Sequence, residues 1–219
     1  MTVQEVIERR CLTSLYHFTT IENYMSILER GFIYSRYKVE ELSLLNDGFY
    51  TADFVDSMDQ QRLDGLRDYI NLSLSRPNWY LLEKYKKRAE LSHFDWCILE
   101  IDLAPMLNEK TLYSVCNAAS STARKYGVKT GAAGLEDLFR SEVCTPRNTY
   151  TRRGIPVHFT TDIQAEVLVF EQISIEHIRH AYLPSKPQLA RYQSGFRLMG
   201  LSNNRFELNS RLFEEAILR

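Results

Sequence analysis

A carboxylate stands inside an otherwise apolar stretch, "QAEVLVF" (164–170), where Glu166 is flanked by Ala165, Val167, Leu168, Val169 and Phe170. Alternation along a strand puts Glu166, Leu168 and Phe170 on one face and Ala165, Val167 and Val169 on the other, so both faces read as apolar. An ionised glutamate is costly there unless it is paired, hydrogen-bonded or retained for chemistry. Two readings stay open from the strand alone: an edge strand that lets Glu166 reach water, or a fixed carboxylate that acts on a bound molecule. A second polar residue in a strand pattern is His17 of "SLYHFTT", which shares a face with Leu15 and Thr19. It is either a satisfied structural histidine or an imidazole placed at a strand end to hydrogen-bond a ligand hydroxyl.

Basic residues gather just ahead of the Glu166 strand, with Arg147, Arg152 and Arg153 around Tyr150, while Lys125, Trp79 and Phe159 add charge and rings elsewhere. Charge runs are ordinarily solvated faces, but this mixture also suits a single-stranded nucleic acid, with charge for phosphates and rings for stacked bases. Arg62 in "QRLDG" reads on its own as a surface ion-pair partner of Asp59 or Asp64, worth little. Neither of the common Gly-rich phosphate loops is present, which speaks against a Rossmann or P-loop nucleotide site. Serine-hydrolase and cysteine-protease signatures are absent as well.

These residues need a scaffold, and 219 residues with 44% hydrophobic content can supply a core. Without repeats, long linkers or low-complexity tracts, one domain over 1–219 is expected. With 27 Lys and Arg against 28 Asp and Glu, no global field advertises a polyanion, so any such partner must be held by local patches. Cys11, Cys97, Cys116 and Cys144 are dispersed, which predicts neither disulfides nor a zinc site and fits a reducing cytoplasm. No signal peptide and no apolar run near about 18 residues is found, so a membrane location is not expected.

Local patterns place the elements. Leu15 to Phe18 predict a short strand; Thr19 with Glu22 fits a capping box opening a helix over Ile21, Tyr24, Met25 and Leu28; Gly31 stops it. "GFIYSR", "YINLSLS" (69–75) and "WCILEIDL" (96–103) predict strands, the second with a polar face open to a ligand. Helices are expected from Pro77 onward in "PNWYLLEKYKKRAE", over "GLEDLFRSEV" (134–143) and over "NSRLFEEAILR" (209–219), with a strand-to-helix switch in "ISIEHIRHAYLP" (173–184). Residues 37 to 68 read as loops with short helices. The mixture lacks βαβ regularity and predicts an α+β fold with a mainly antiparallel sheet.

Taken in order, "LYHFTTIENYMSILERGFI", "QRLDG", "INLSLSRPN", "NAASS" (117–121) and "TDIQAEVLVF" resemble the DarT-type DNA ADP-ribosyltransferase toxins, relatives of the poly(ADP-ribose) polymerase and diphtheria-toxin branch. The likeness spans roughly residues 14 to 180. It implies an ADP-ribosyltransferase-like split antiparallel β-sheet core with flanking helices, and NAD as a consumed co-substrate with no metal. On the family motif the catalytic glutamate falls on Glu166 and the catalysis-assisting arginine on Arg62. His17 would bind the NAD ribose, with Thr19, Asn23, Gly31 and Arg62 in the NAD-binding set.

The implied acceptor is a thymine or guanine base of single-stranded DNA, with Arg147, Tyr150, Arg152 and Arg153 placed by position as phosphate or base contacts. A macrodomain antitoxin partner and a toxin–antitoxin or phage-defence setting are implied too. RNA as acceptor, or a catalytically silent binding module, are the alternatives. The stretch 36–61 and the tail 185–219 depart from the family pattern.

Overall fold

The computed structural model describes residues 1–45 and 65–214. In chain order the elements begin with helix α1 (Val3–Arg9), strand β1 (Leu15–Thr20), α2 (Ile21–Arg30), β2 (Phe32–Tyr34), α3 (Arg36–Leu45), β3 (Tyr69–Leu74), α4 (Trp79–Lys86) and β4 (Trp96–Ile101). There follow β5 (Leu112–Ser114), α5 (Ser121–Tyr126), β6 (Lys129–Thr130), α6 (Gly131–Asp137), β7 (Glu142–Cys144) and β8 (Thr149–Thr151). The chain closes with β9 (Glu166–Phe170), β10 (Gln172–Ser174), β11 (Ile178–Leu183), α7 (Lys186–Leu198) and β12 (Phe206–Leu208).

Eight strands form one sheet in the order β12-β11-β4-β1-β3-β9-β5-β6, and β10-β2 and β7-β8 make two small ribbons. Every pairing is antiparallel except β11 with β12. This is the α+β, mainly antiparallel architecture that the patterning predicts. The interior strand β4 is buried on both faces, which is why "WCILEI" reads as a continuous apolar run. On one face Leu15, Leu72, Leu99 and Val167 join Val6 of α1 and Tyr24 of α2 in the larger core. On the other, Ile98 and Trp96 pack with Leu82 of α4, and Tyr16 and Phe18 lean on them.

Helix α2 positions the segment that leads into β2 and α3. Its N-cap is Thr20, whose hydroxyl accepts from the Asn23 N–H at 3.3 Å, so the expected Thr19–Glu22 capping box is displaced by one residue. The reason is that β1 runs on to Thr20, with all six residues paired to β4. At the other end Gly31 closes α2 with φ 83°, and its N–H reaches the Ile27 carbonyl at 2.9 Å.

Other boundaries also move. Asn78, not Pro77, opens α4, accepting from the Leu81 N–H at 3.0 Å. The helix expected over 134–143 is α6, which ends at Asp137, and its last residues become β7. Residues 173–184 hold no helix switch beyond a single 3-10 turn: β10 and β11 take the rest, because Ile178, Ala181 and Leu183 fit the sheet's core face. The tail shows a 3-10 turn at Ser210–Phe213 in place of the amphipathic helix, whose remainder lies outside the described residues.

Two glycines report on this frame with opposite signs. Gly31→Ala keeps open space but forces a left-handed residue, so it is expected to lower stability by about 1–2 kcal/mol. Gly195→Ala, inside α7 with ordinary φ and nothing nearby, is expected to raise it by about 0.5–1 kcal/mol. Urea-unfolding midpoints check both; shifts in the same direction would contradict the assignment.

Candidate active site

The sheet opens where β1 meets β3. The two strands are paired only at Leu15↔Leu74 and Tyr16↔Ser73, although β1 stays paired to β4 through Thr20 and β3 stays paired to β9 from Tyr69 to Ser73. Beyond Tyr16 the strands part, and the gap is the floor of a cavity of about 340 Å³. His17, Thr19, Asn23, Asn71, Asn117 and Glu166 are among its lining residues.

His17 bridges the gap. Its Nδ1 lies 3.1 Å from the Asn71 carbonyl oxygen. A carbonyl can only accept, so Nδ1 carries the hydrogen and the neutral ring turns an Nε2 lone pair elsewhere. Packing of protein around the ring lowers its pKa below the ordinary 6.5, and the Asn71 bond opposes this only in part. The imidazole is thereby kept as a neutral acceptor, the form that receives a hydrogen bond from a hydroxyl.

Glu166 opens β9, an interior strand between β3 and β5, and is 5% exposed. The edge-strand reading therefore fails: both neighbours are occupied, with Ser73 and Ser114 opposite Glu166 on either side. Its charge is met by the loop after β5. The Ala118 N–H donates to Oε2 at 2.8 Å and the Asn117 Nδ2 to Oε1 at 3.3 Å. That loop is itself braced, since Asn117 Oδ1 accepts from the Ala119 N–H at 3.1 Å and Ser120 caps α5 through the Ala123 N–H.

The approach to β9 is stiff as well. Arg76, buried to 7% exposure, lies over the Phe159 ring at 4.6 Å and donates to the Thr160 carbonyl at 3.4 Å. Asp162 is fully buried, and that burial raises its pKa, opposed by the Gln164 N–H and by Arg76. The Thr161 hydroxyl donates to the Arg140 carbonyl at 2.6 Å. The cavity's other wall is aromatic, with Phe18 centred 5.9 Å from Tyr85 and 6.0 Å from Trp96. Arg30 and Arg36 also line it.

Of the residues singled out in the sequence, His17, Thr19, Asn23 and Glu166 meet at this cavity. Gly31 does not line it; it turns the chain so that Arg30 and Phe32 can. Arg62 lies outside the described residues. Arg147 and Tyr150 sit on the β7–β8 hairpin and Arg152 and Arg153 just after it, none of them lining the cavity. Arg147 and Arg153 are exposed.

Arg152 is not an open cation: it donates to the carbonyls of Phe159 at 2.8 Å, Pro156 at 3.1 Å and Val157 at 2.8 Å, fastening the segment that leads to β9. Asn117, Ala118, Asn71 and Arg76 were not singled out. "NAASS" and "INLSLSRPN" contain them, but a backbone N–H carries no side-chain signal. Among the described residues no cluster of three or more His, Cys, Asp or Glu side chains could hold a metal ion, and no helix is long and apolar enough to cross a membrane. The four cysteines are free thiols.

The Thermosipho africanus DarTG structure in complex with ADP-ribose superposes with a TM-score of 0.57 at 18% identity, covering 91% of this chain and 50% of that one. This chain thus spans about half of that relative's length. Thermus sp. 2.9 DarT in complex with NAD+ gives 0.56 at 13% identity, over 92% of this chain and 98% of that one. The same Thermus protein in complex with ADP-ribosylated ssDNA gives 0.56 at 14% identity, over 92% and 96%. At these identities the likeness establishes the fold. No curated protein sequence matches the chain. The sequence itself matches the family described as "ssDNA thymidine ADP-ribosyltransferase, DarT" over residues 16–213, nearly its whole length, and the chain belongs to the DarT family.

Proposed function

We propose that the cavity between β1 and β3 holds NAD and that the chain transfers its ADP-ribose to a thymidine base of single-stranded DNA, releasing nicotinamide. The observation that carries this reading is Glu166: a buried carboxylate, held by the Ala118 N–H and the Asn117 amide, on the wall of the cavity that His17 also lines. Family membership supplies the reaction class, and relatives of the same fold were solved with NAD+ and with ADP-ribosylated ssDNA. The reading takes residues 1–219 as one transferase domain.

The residues can be given roles. Breaking the bond between the nicotinamide nitrogen and ribose C1′ leaves both electrons on nicotinamide and positive charge on the sugar, as in glycoside hydrolysis. Glu166, 5% exposed, places fixed negative charge where that positive charge grows, and its burial strengthens the effect. The new bond runs from C1′ to a base nitrogen. In thymidine N1 already carries the deoxyribose, so the remaining ring nitrogen is N3, whose proton must leave; Glu166 is the carboxylate available to help.

His17 takes a ribose hydroxyl at Nε2, with Thr19 and Asn23 beside it. Arg30 and Arg36, the latter ion-paired with Glu40 at 2.8 Å, are the cavity cations proposed to face the diphosphate, and the Phe18, Tyr85 and Trp96 wall suits a flat ring. Arg62 is proposed as the second catalytic group. Single-stranded DNA spares the unstacking cost of about a few kcal/mol.

Arg147, Tyr150 and Arg153 are proposed to contact DNA, while Arg152 holds the 156–161 segment against which the strand would lie. A macrodomain protein that removes the modification is the proposed partner in a toxin–antitoxin pair. The half of the Thermosipho africanus DarTG chain that this one does not span is consistent with such an arrangement.

Incubation with NAD and matched single-stranded DNA and RNA oligonucleotides, each base varied in turn, tests the reading by mass spectrometry. An added ADP-ribose only on thymidine-containing DNA is expected; an adduct only on RNA or protein contradicts it. Glu166→Ala is expected to lower kcat by about 100-fold or more with NAD affinity little changed, whereas a silent binding module would show no loss of turnover.

Because burial holds His17 below its ordinary 6.5, KM for NAD is expected to stay flat as pH falls through that value and to rise only at lower pH, when the ring is protonated. A rise centred on 6.5 would contradict an acceptor that its surroundings keep neutral. Arg147→Ala and Arg153→Ala are each expected to reduce the slope of log affinity against log salt by about 1, the signature of one lost phosphate contact. Arg152→Ala is expected to lower the melting temperature instead.

A further inference from the structure

We infer that Asn117 sets the orientation of the Glu166 carboxylate and is a positioning residue for the transfer; this rests on the transferase reading above. Rotation of a glutamate carboxylate about its last bond is soft, because a terminal sp³–sp² torsion has no sharp minima. Burial on β9 therefore fixes where the carboxyl group is, but not how its plane is turned. The Ala118 N–H holds one oxygen, Oε2, at 2.8 Å. The Asn117 amide donates to the other oxygen, Oε1, at 3.3 Å, and a donor on each oxygen sets the plane of the carboxylate.

The amide could be turned either way, and the structure decides which. Its Oδ1 accepts from the Ala119 N–H at 3.1 Å, so the Nδ2 end faces Glu166. A flipped amide would set oxygen against carboxylate oxygen and lose the Ala119 bond at once. The residue's main chain is anchored on both sides: Cys116 and Ala118 are buried, and the Asn117 carbonyl accepts from the Ser120 N–H at 3.0 Å. The order of control is from the turn to the amide to the carboxylate. Ala118 acts through its backbone N–H, whereas the contact from position 117 needs a short side chain carrying both an acceptor and a donor.

Asn117→Asp and Asn117→Ala separate this role from a structural one. Aspartate has the same shape and still accepts from the Ala119 N–H, so it preserves the turn, but it replaces the donor with a like charge facing Glu166. Alanine loses both bonds and adds no charge. If Asn117 serves only to shape the turn, Asn117→Asp retains more activity than Asn117→Ala.

The positioning role reverses the order. Asn117→Ala is expected to lose about 10-fold and Asn117→Asp about 100-fold in kcat, with KM for NAD within about threefold of the wild type. Melting curves of both variants confirm that each is folded when assayed. Asn117→Asp equal to or above Asn117→Ala overturns the inference. So does a loss confined to KM, which would make Asn117 an NAD contact. A wild-type protein that turns over no NAD on any strand defeats the transferase reading, whereas an active wild type with unaffected variants defeats this inference alone.

Discussion

A carboxylate held in the interior of a sheet is the constraint on which the rest of the site depends. Its charge would be prohibitive between β3 and β5 without compensation, and compensation has to come from outside the sheet, since the strand amides are committed to pairing. The turn after β5 meets that need by aiming a main-chain N–H and a side-chain amide at the two oxygens. Bracing of the turn by the start of α5, and of the segment before β9 by Arg76 and Arg152, follows from the same requirement. A group that must present charge at one point in space gains little from being buried if the backbone carrying it can shift.

The second feature is an interruption. Antiparallel strands in a continuous sheet leave no room between them, so a ligand reaches the middle of a sheet only where pairing lapses. Here β1 and β3 share two registered pairs and then separate, while each keeps its other neighbour. The His17–Asn71 bond crosses the gap where a ladder bond would have been, and it fixes the tautomer of the ring. One hydrogen bond thus satisfies a carbonyl left by the split and prepares an acceptor for a ligand. The cleft exists because the sheet is split, and protein packed around the His17 ring lowers its pKa, which favours the neutral form.

Much of this was legible in the sequence, and the parts that were not have physical reasons. Glu166 announced itself because a charged residue in an apolar run has no inexpensive explanation, yet the strand alone could not say whether β9 was edge or interior. That depends on pairing with residues far away in sequence. His17 was visible as a polar side chain near a strand end, but the cap fell on Thr20, because a sixth pair with β4 outweighed the local capping-box pattern.

Arg152 misled for a related reason. A basic turn has the composition of a phosphate site, and only the fold shows that three carbonyls of the following segment already receive this guanidinium. In 173–184 the pattern suggested a helix that the sheet took over, tertiary packing overriding local preference. The main donor to Glu166 is a backbone amide, which no residue type betrays.

The central claim is spatial: a donor nucleotide must lie in the split of the sheet with its reacting carbon against Glu166. The most direct measurement is a crystal structure of the wild-type protein soaked with a non-hydrolysable NAD analogue. The account predicts density between β1 and β3, the nicotinamide-bearing ribose within hydrogen-bond reach of His17 Nε2 and its C1′ beside the Glu166 carboxylate, with the Ala118 and Asn117 bonds intact. An analogue bound elsewhere, or bound in the split with its ribose turned away from Glu166, would contradict it.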